Sequence, residues 1–273
     1  MKLFKKSKKY YFLAGLPRAG NTVLSSLLNQ NPRVQVSANS IVASIFYYIL
    51  SQEDTLFYKN FPDLQSIRDC ASAVFDSYYK SWEGNIIIDR APWGTQGNLR
   101  ILEDYCPNEL KFICPIRDVN QVLASFVLNY YKSGALNKQN EKEVEDHCHR
   151  MMGSSSIQEG VVARALEGIS NFVKPEYSDR VYFMHYDNFC ENAEEELNNI
   201  YDFLEIKRYK HNFNTIKQYE MNGIKYNDNI DIGYYNLHTI KESIQKSHYR
   251  VEDVLPPSII KEYSHLTFNQ FRK

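Results

Sequence analysis

Short blocks of consecutive apolar residues alternate along this chain with longer stretches in which apolar positions recur every three or four residues. Tyr10-Tyr11-Phe12-Leu13-Ala14 is the first block. It runs into a loop containing Gly15, Pro17 and Gly20, and over 22–28 the apolar positions take helical spacing, so the chain opens as strand, loop, helix. Asn85-Ile86-Ile87-Ile88-Asp89 and Leu110-Lys111-Phe112-Ile113-Cys114-Pro115-Ile116 repeat the strand pattern, the latter followed by a helix through Val122, Leu123, Phe126 and Val127. A fourth strand, Val181-Tyr182-Phe183-Met184, precedes a helix over 191–204. Helical spacing also marks 41–50, 64–82 and 143–173, the last with a break at Gly153-Ser154-Ser155-Ser156. Pro256-Pro257 opens a short helix over 258–263. Four strands separated by helices predict an α/β fold with a mostly parallel sheet, helices on both faces, and helical insertions covering its ligand edge. With no internal repeat or low-complexity linker, 1–273 reads as a single domain with a basic tail over 1–9.

Composition narrows the partners. The 32 basic residues are balanced by 33 acidic ones, so no global positive field favours nucleic acid or an anionic membrane, and any anion must be caught locally. No window is long and apolar enough to span a bilayer, which predicts a soluble protein without stable membrane insertion. The five cysteines are scattered and lack a Cys-x-x-Cys pair, which argues against a disulfide framework or zinc site and suits the cytoplasm. His147-Cys148-His149 offers no metal site on a helix, because residues two apart face nearly opposite ways.

The chemistry gathers at strand ends. In an open parallel sheet, ligands sit beyond the carboxyl ends of the strands, where the loop Gly15-Leu16-Pro17-Arg18-Ala19-Gly20-Asn21-Thr22 falls. Its glycines allow tight turns, amides at the start of the following helix can face an anion, and Arg18 and Thr22 add a charge and a hydroxyl. The spacing is that of a phosphate-binding P-loop, except that Asn21 stands where the phosphate-reaching Lys belongs. That departure counts against a small-molecule or nucleotide kinase, as does the lack of a clear strand for holding Mg²⁺. Alone, the loop reads better as a Gly/Pro turn before a core helix.

Pro17-Arg18-Ala19-Gly20-Asn21-Thr22 resembles the loop that wraps the 5′-phosphosulfate in sulfotransferases using 3′-phosphoadenosine-5′-phosphosulfate (PAPS), particularly the tyrosylprotein and related bacterial and viral groups. The resemblance implies a P-loop-like α/β fold and transfer of a sulfuryl group from PAPS to a hydroxyl acceptor, releasing the bisphosphate PAP without a metal. Arg117, after the third strand, and Ser125, two helical turns on, resemble the family's 3′-phosphate site, a geometry suited to the planar fork of Arg. Arg90, in Asp89-Arg90-Ala91-Pro92, stands where the family carries a Lys at the transferring group, and its role there is electrostatic. An ion pair with Asp89 is the competing reading. Met184-His185-Tyr186-Asp187 resembles a further strand-end segment, placing Tyr186 at the nucleotide. Segment 207–273 corresponds to the part that closes over the nucleotide, with Lys241, Lys246 and Arg250 as candidate contacts.

The acceptor side carries over less well. Neither base position of the family is filled: Ser37-Ala38-Asn39-Ser40 contains no carboxylate, and Pro92 replaces a His. His238 is the leading substitute, because imidazole titrates near ~6.5, with Asp89 and Glu53 behind it. Tyr47, Tyr48, Trp82 and Trp93 near the expected mouth suit a sugar, phenol, lipid or peptide Tyr acceptor alike. A non-catalytic protein that only binds PAP or PAPS is the remaining alternative. Oligomeric state is not legible.

Overall fold

A computed structural model of the protein describes residues 8–153, 160–225, 237–268 and 271. Strand β1 (Lys9–Leu13) leads through the glycine loop into helix α1 (Asn21–Leu28), then β2 (Val34–Val36). Four short helices follow: α2 (Val42–Leu50), α3 (Leu56–Asn60), α4 (Leu64–Ser72) and α5 (Val74–Tyr78). Next come β3 (Ile86–Arg90), α6 (Gln96–Tyr105), β4 (Phe112–Ile116) and α7 (Val119–Ser133). Helices α8 (Glu141–Met152) and α9 (Val161–Phe172) precede β5 (Val181–His185), α10 (Tyr186–Glu191) and α11 (Ala193–Phe203). A small hairpin, β6 (Glu220–Met221) and β7 (Ile224–Lys225), and α12 (Pro257–Tyr263) complete the order.

The five main strands form one sheet in the order β2-β3-β1-β4-β5, and every pairing is parallel. The chain moves outward from β1 to one side, returns, and then moves to the other side through β4. The crevice at the carboxyl ends of β1 and β4 is therefore the topological switch point at which open α/β sheets bind ligands. Alternation along each strand divides two apolar cores. Tyr10, Phe12, Ile87 and Phe112 face a larger core with Phe46, Phe75, Trp93, Phe126 and Phe172, while Tyr11, Leu13, Ile88 and Ile113 face a second with Leu24, Leu28, Leu197 and Tyr201. Asp118 caps α7 by accepting from the Gln121 amide (3.1 Å), and Gly134 ends that helix at φ 74.

The four strands read from the apolar runs are present within a residue or two of their expected ends, as is the helix after Pro256. Two differences have clear causes. Strand β2 is three residues long, too short for a periodic signal, and is held by pairing with β3. The helix expected over 64–82 is two helices that part at Ala73, and α3 stands ahead of them, N-capped by the Thr55 side chain (3.3 Å to the Tyr58 amide). The break expected at 153–156 lies outside the described residues apart from Gly153.

Candidate active site

The loop after β1 is fixed to β4 before it turns. The Ala14 and Leu16 amides donate to the carbonyls of Ile113 (2.9 Å) and Pro115 (2.8 Å), and a Cβ on Gly15 would stand 2.3 Å from the Pro115 oxygen. Gly15 is thus required for close approach. Turning is done by Arg18 (φ 59) and Gly20 (φ 85), both left-handed, and left-handed backbone at a non-glycine such as Arg18 marks local strain. Asn21 does not extend outward as the P-loop Lys would. Its Nδ2 donates to the Leu16 carbonyl (2.8 Å) and closes the loop on itself, and no side chain caps the first turn of α1.

Above this loop lies a cavity of about 530 Å³ whose walls include Pro17, Arg18, Gly20, Asn21, Thr22, Arg90, Arg117, Ser125, Tyr186 and His238. Among the described residues its lining contains three arginines and no carboxylate. Arg18 Nε donates to Ser125 Oγ (3.0 Å) and Nη1 to the Leu237 carbonyl (2.9 Å). Arg117 Nη1 donates to the Arg18 carbonyl (2.8 Å), and its Nη2 to Gln121 Oε1 (3.3 Å) and the Tyr249 hydroxyl (3.1 Å), while its guanidinium lies over the Tyr186 ring at 4.0 Å. All the acceptors are neutral. Among the described residues neither arginine forms an ion pair, although Arg117 is only 7% exposed. Burial pushes the Arg18 guanidinium below its ordinary pKa, and the charges of Arg117 and Arg90 push it the same way. Arg90 Nη1 reaches Thr22 Oγ1 (3.4 Å), while its own amide donates to Ser37 Oγ (2.7 Å). Buried cations without counter-ions are costly, and this cavity offers an anion the compensating position.

A model of the sulfotransferase domain family matches residues 8–269. The chain belongs to that family. Among solved structures, it resembles the sulfotransferase domain of the Synechococcus PCC 7002 olefin synthase (13% identity, 98% of this chain and 92% of that one, TM-score 0.47). It also resembles a sulfotransferase from Alicyclobacillus acidocaldarius (13%, 74% and 82%, 0.48) and the sulfotransferase domain of the curacin biosynthetic pathway (15%, 94% and 98%, 0.45). A comparison with curated proteins finds no match. Sulfuryl transfer is the chemistry of this family, and the protein is a transferase.

In this sulfotransferase one cavity gathers Pro17, Arg18, Gly20, Asn21, Thr22, Arg90, Arg117, Ser125, Tyr186 and His238 from the residues singled out in the sequence for donor and catalytic roles. Ala19 is wholly buried beneath the loop. Lys241, Lys246 and Arg250 lie off the cavity wall: Lys241 donates to Gln245 (2.6 Å), Lys246 bridges Asp187 (3.0 Å) and Glu191 (2.9 Å), and Arg250 faces Glu252 (3.7 Å). The C-terminal segment does reach the arginines, but through the Leu237 carbonyl and the Tyr249 hydroxyl. Tyr186 OH and Ser247 Oγ stand 3.2 Å apart. Nothing in the local pattern of this polar tail marked Tyr249, nor Phe189 and Cys190 on the opposite wall.

Two of the candidate bases are placed away from the cavity. Asp89 is fully buried on the core side of β3, where it accepts from Tyr79 OH (2.5 Å) and Trp93 Nε1 (2.9 Å). Desolvation raises its pKa to about 6. It therefore neither pairs with Arg90 nor faces an acceptor. Trp93, expected at the mouth, is a core residue for the same reason. Glu53 is absent from the lining. His238 remains on the wall, in a segment that Gln218 brackets by donating to the His238 carbonyl (2.8 Å) and accepting from the Ile240 amide (2.9 Å). The neighbouring His147 and His149 have separate partners, the Tyr130 ring at 4.0 Å and Glu262 Oε2 at 3.1 Å. Among the described residues, no helix is long and apolar enough to cross a membrane and no group of three or more His, Cys, Asp or Glu is arranged for a metal ion.

Proposed function

We propose that this sulfotransferase uses PAPS as donor, with the 5′-phosphosulfate held by the loop Pro17-Arg18-Ala19-Gly20-Asn21-Thr22 and the 3′-phosphate by Arg117 and Ser125. The observation that carries the reading is the pair of arginines, Arg18 and Arg117, bonded among the described residues to neutral acceptors, beside a switch-point cavity whose described lining holds no carboxylate. Arg offers a forked donor that matches phosphate oxygens, and two arginines joined through the Arg18 carbonyl suit a ligand with two anionic ends. Ala19 contributes through its amide, so its buried side chain is compatible with that role.

PAPS supplies the sulfuryl group. The acceptor oxygen forms a bond to sulfur as the bond from sulfur to the 5′-phosphate oxygen breaks, and the hydroxyl proton passes to a base. Arg18 and Arg90 favour the transfer by standing where negative charge grows on the leaving side. His238 is the base of this proposal, because it is the only imidazole on the cavity wall among the described residues. The acceptor is a hydroxyl compound such as a sugar, phenol, lipid or peptide Tyr, and the site of action is the cytoplasm.

A thermal-shift titration tests the donor. Stabilisation by PAP without Mg²⁺ is the expected result, and stabilisation only by ATP with Mg²⁺ points to a kinase. Transfer of labelled sulfate from PAPS to an acceptor panel then separates an enzyme from a protein that only binds the nucleotide. If PAP gives no shift, the donor assignment is wrong.

A further inference from the structure

Arg117 is gripped on three sides. Its guanidinium plane rests on Tyr186 at 4.0 Å, one nitrogen is held by the Arg18 carbonyl at 2.8 Å, and the other reaches the Tyr249 hydroxyl at 3.1 Å. The Tyr249 hydroxyl has one proton, and it donates this to the Gln121 backbone carbonyl at 2.8 Å. Only its lone pairs are then left to face Arg117. The hydroxyl is therefore oriented as an acceptor by α7, the same helix that carries Ser125 and whose N-cap is Asp118. Gln121 contributes twice, as the anchor of that hydroxyl and, through Oε1 at 3.3 Å, as a second acceptor for the same arginine nitrogen.

Tyr249 lies 132 residues beyond Arg117, on the C-terminal segment whose Leu237 carbonyl receives Arg18 and whose Ser247 meets Tyr186. The segment touches both arginines, yet none of its described lysines or arginines lines the cavity. What it brings to the two arginines is an aromatic hydroxyl and a carbonyl. An acceptor adds no charge to an anion site. What it can do is fix the plane in which the Arg117 fork opens, and a planar fork is useful to a phosphate only when aimed.

We infer that Tyr249 is a positioning residue that aims Arg117 and so determines how strongly the site prefers a nucleotide bearing a 3′-phosphate. This rests on the donor reading above, in which Arg117 meets that phosphate. Selectivity for 3′-phosphorylated nucleotides is then a property of the closed C-terminal segment as well as of the sheet.

The test compares PAP with adenosine 5′-phosphate, which differs in lacking the 3′-phosphate, by calorimetric titration of the full chain and its Tyr249→Phe variant. Phe keeps the ring and removes only the hydroxyl. Wild type is expected to prefer PAP strongly. In Tyr249→Phe the affinity for PAP falls about tenfold, the loss typical of a hydrogen bond to a charged group, while that for adenosine 5′-phosphate stays within about twofold. A merely structural role would weaken both nucleotides together. A variant that keeps the full wild-type preference, or that loses both affinities equally, overturns the inference and leaves the donor reading standing. Wild type that binds the two nucleotides equally overturns the donor reading, and the inference with it. Tyr249→Leu, which also removes the ring's bulk, gives the same comparison should the Phe variant prove insoluble: a lowered preference supports the inference and an unchanged one overturns it.

Discussion

Asp89, on β3, and Arg117, just after β4, are both charged residues buried near a strand's carboxyl end, and both are surrounded by neutral partners. Their situations differ in what lies on the remaining side. Asp89 is enclosed by Tyr79, Trp93 and the aromatic core, so its two oxygens are satisfied and sealed. Arg117 has three neutral acceptors and a wall of the cavity. A buried charge whose partners complete its hydrogen bonds is part of the architecture. One left facing an acid-free cavity has electrostatic capacity to spend on a ligand. One residue of strand register decides which of these applies to Asp89 and to its neighbour Arg90, because alternate positions face opposite ways.

The sharpest way to break this contrast is to remove each charge in turn. Asp89→Ala leaves the Tyr79 hydroxyl and Trp93 indole without an acceptor in the core. It is expected to lower folding stability by about 3–4 kcal/mol in chemical denaturation, with donor affinity unchanged in whatever fraction is folded. Arg117→Ala should do the reverse: PAP binding weakens by roughly 2–3 kcal/mol, or about 30- to 150-fold by calorimetry, and the thermal midpoint without ligand hardly moves. Equal affinity in wild type and mutant would remove Arg117 from the site.

Proton linkage gives an effect of definite sign, spread over a pH window. Asp89 in the folded protein titrates at about 6, above its ordinary 3.8, so the folded state holds this proton more tightly than the unfolded one. Its contribution to stability is therefore complete at low pH, declines as pH rises from about 4 to about 6, and is level above. Denaturation profiles across that window should be flatter in Asp89→Asn than in wild type. An identical slope would show that the carboxyl is not desolvated as its burial demands. Smallest is Ser125→Ala, which removes the hydroxyl at Arg18 Nε. It should cost about 1 kcal/mol in PAP affinity, and a loss matching that of Arg117→Ala would mean that Ser125 has been underrated as a ligand.

The sequence by itself determined the parts that depend on neighbours along the chain. Apolar runs and helical spacing located β1, β3, β4, β5 and α1, since burial on both faces of a parallel sheet demands continuous apolar strands. Pro17 to Thr22, Arg117 and Ser125 stood out through their resemblance to family motifs at strand ends, and all of them but Ala19 line one cavity. The tertiary structure decided what depends on register and on distant segments. It turned Asp89 and Trp93 into core, made Asn21 a brace of its own loop, and reserved Gly15 for contact with β4. It also brought Leu237 and Tyr249 onto the two arginines and Ser247 onto Tyr186, with Lys241, Lys246 and Arg250 off the cavity wall. The family resemblance of this segment had nominated those three cations, but a cation on an exposed segment finds its nearest acid, as Lys246 finds Asp187 and Glu191. The residues that grip a buried arginine are instead set by shape and by lone pairs, which no local pattern records.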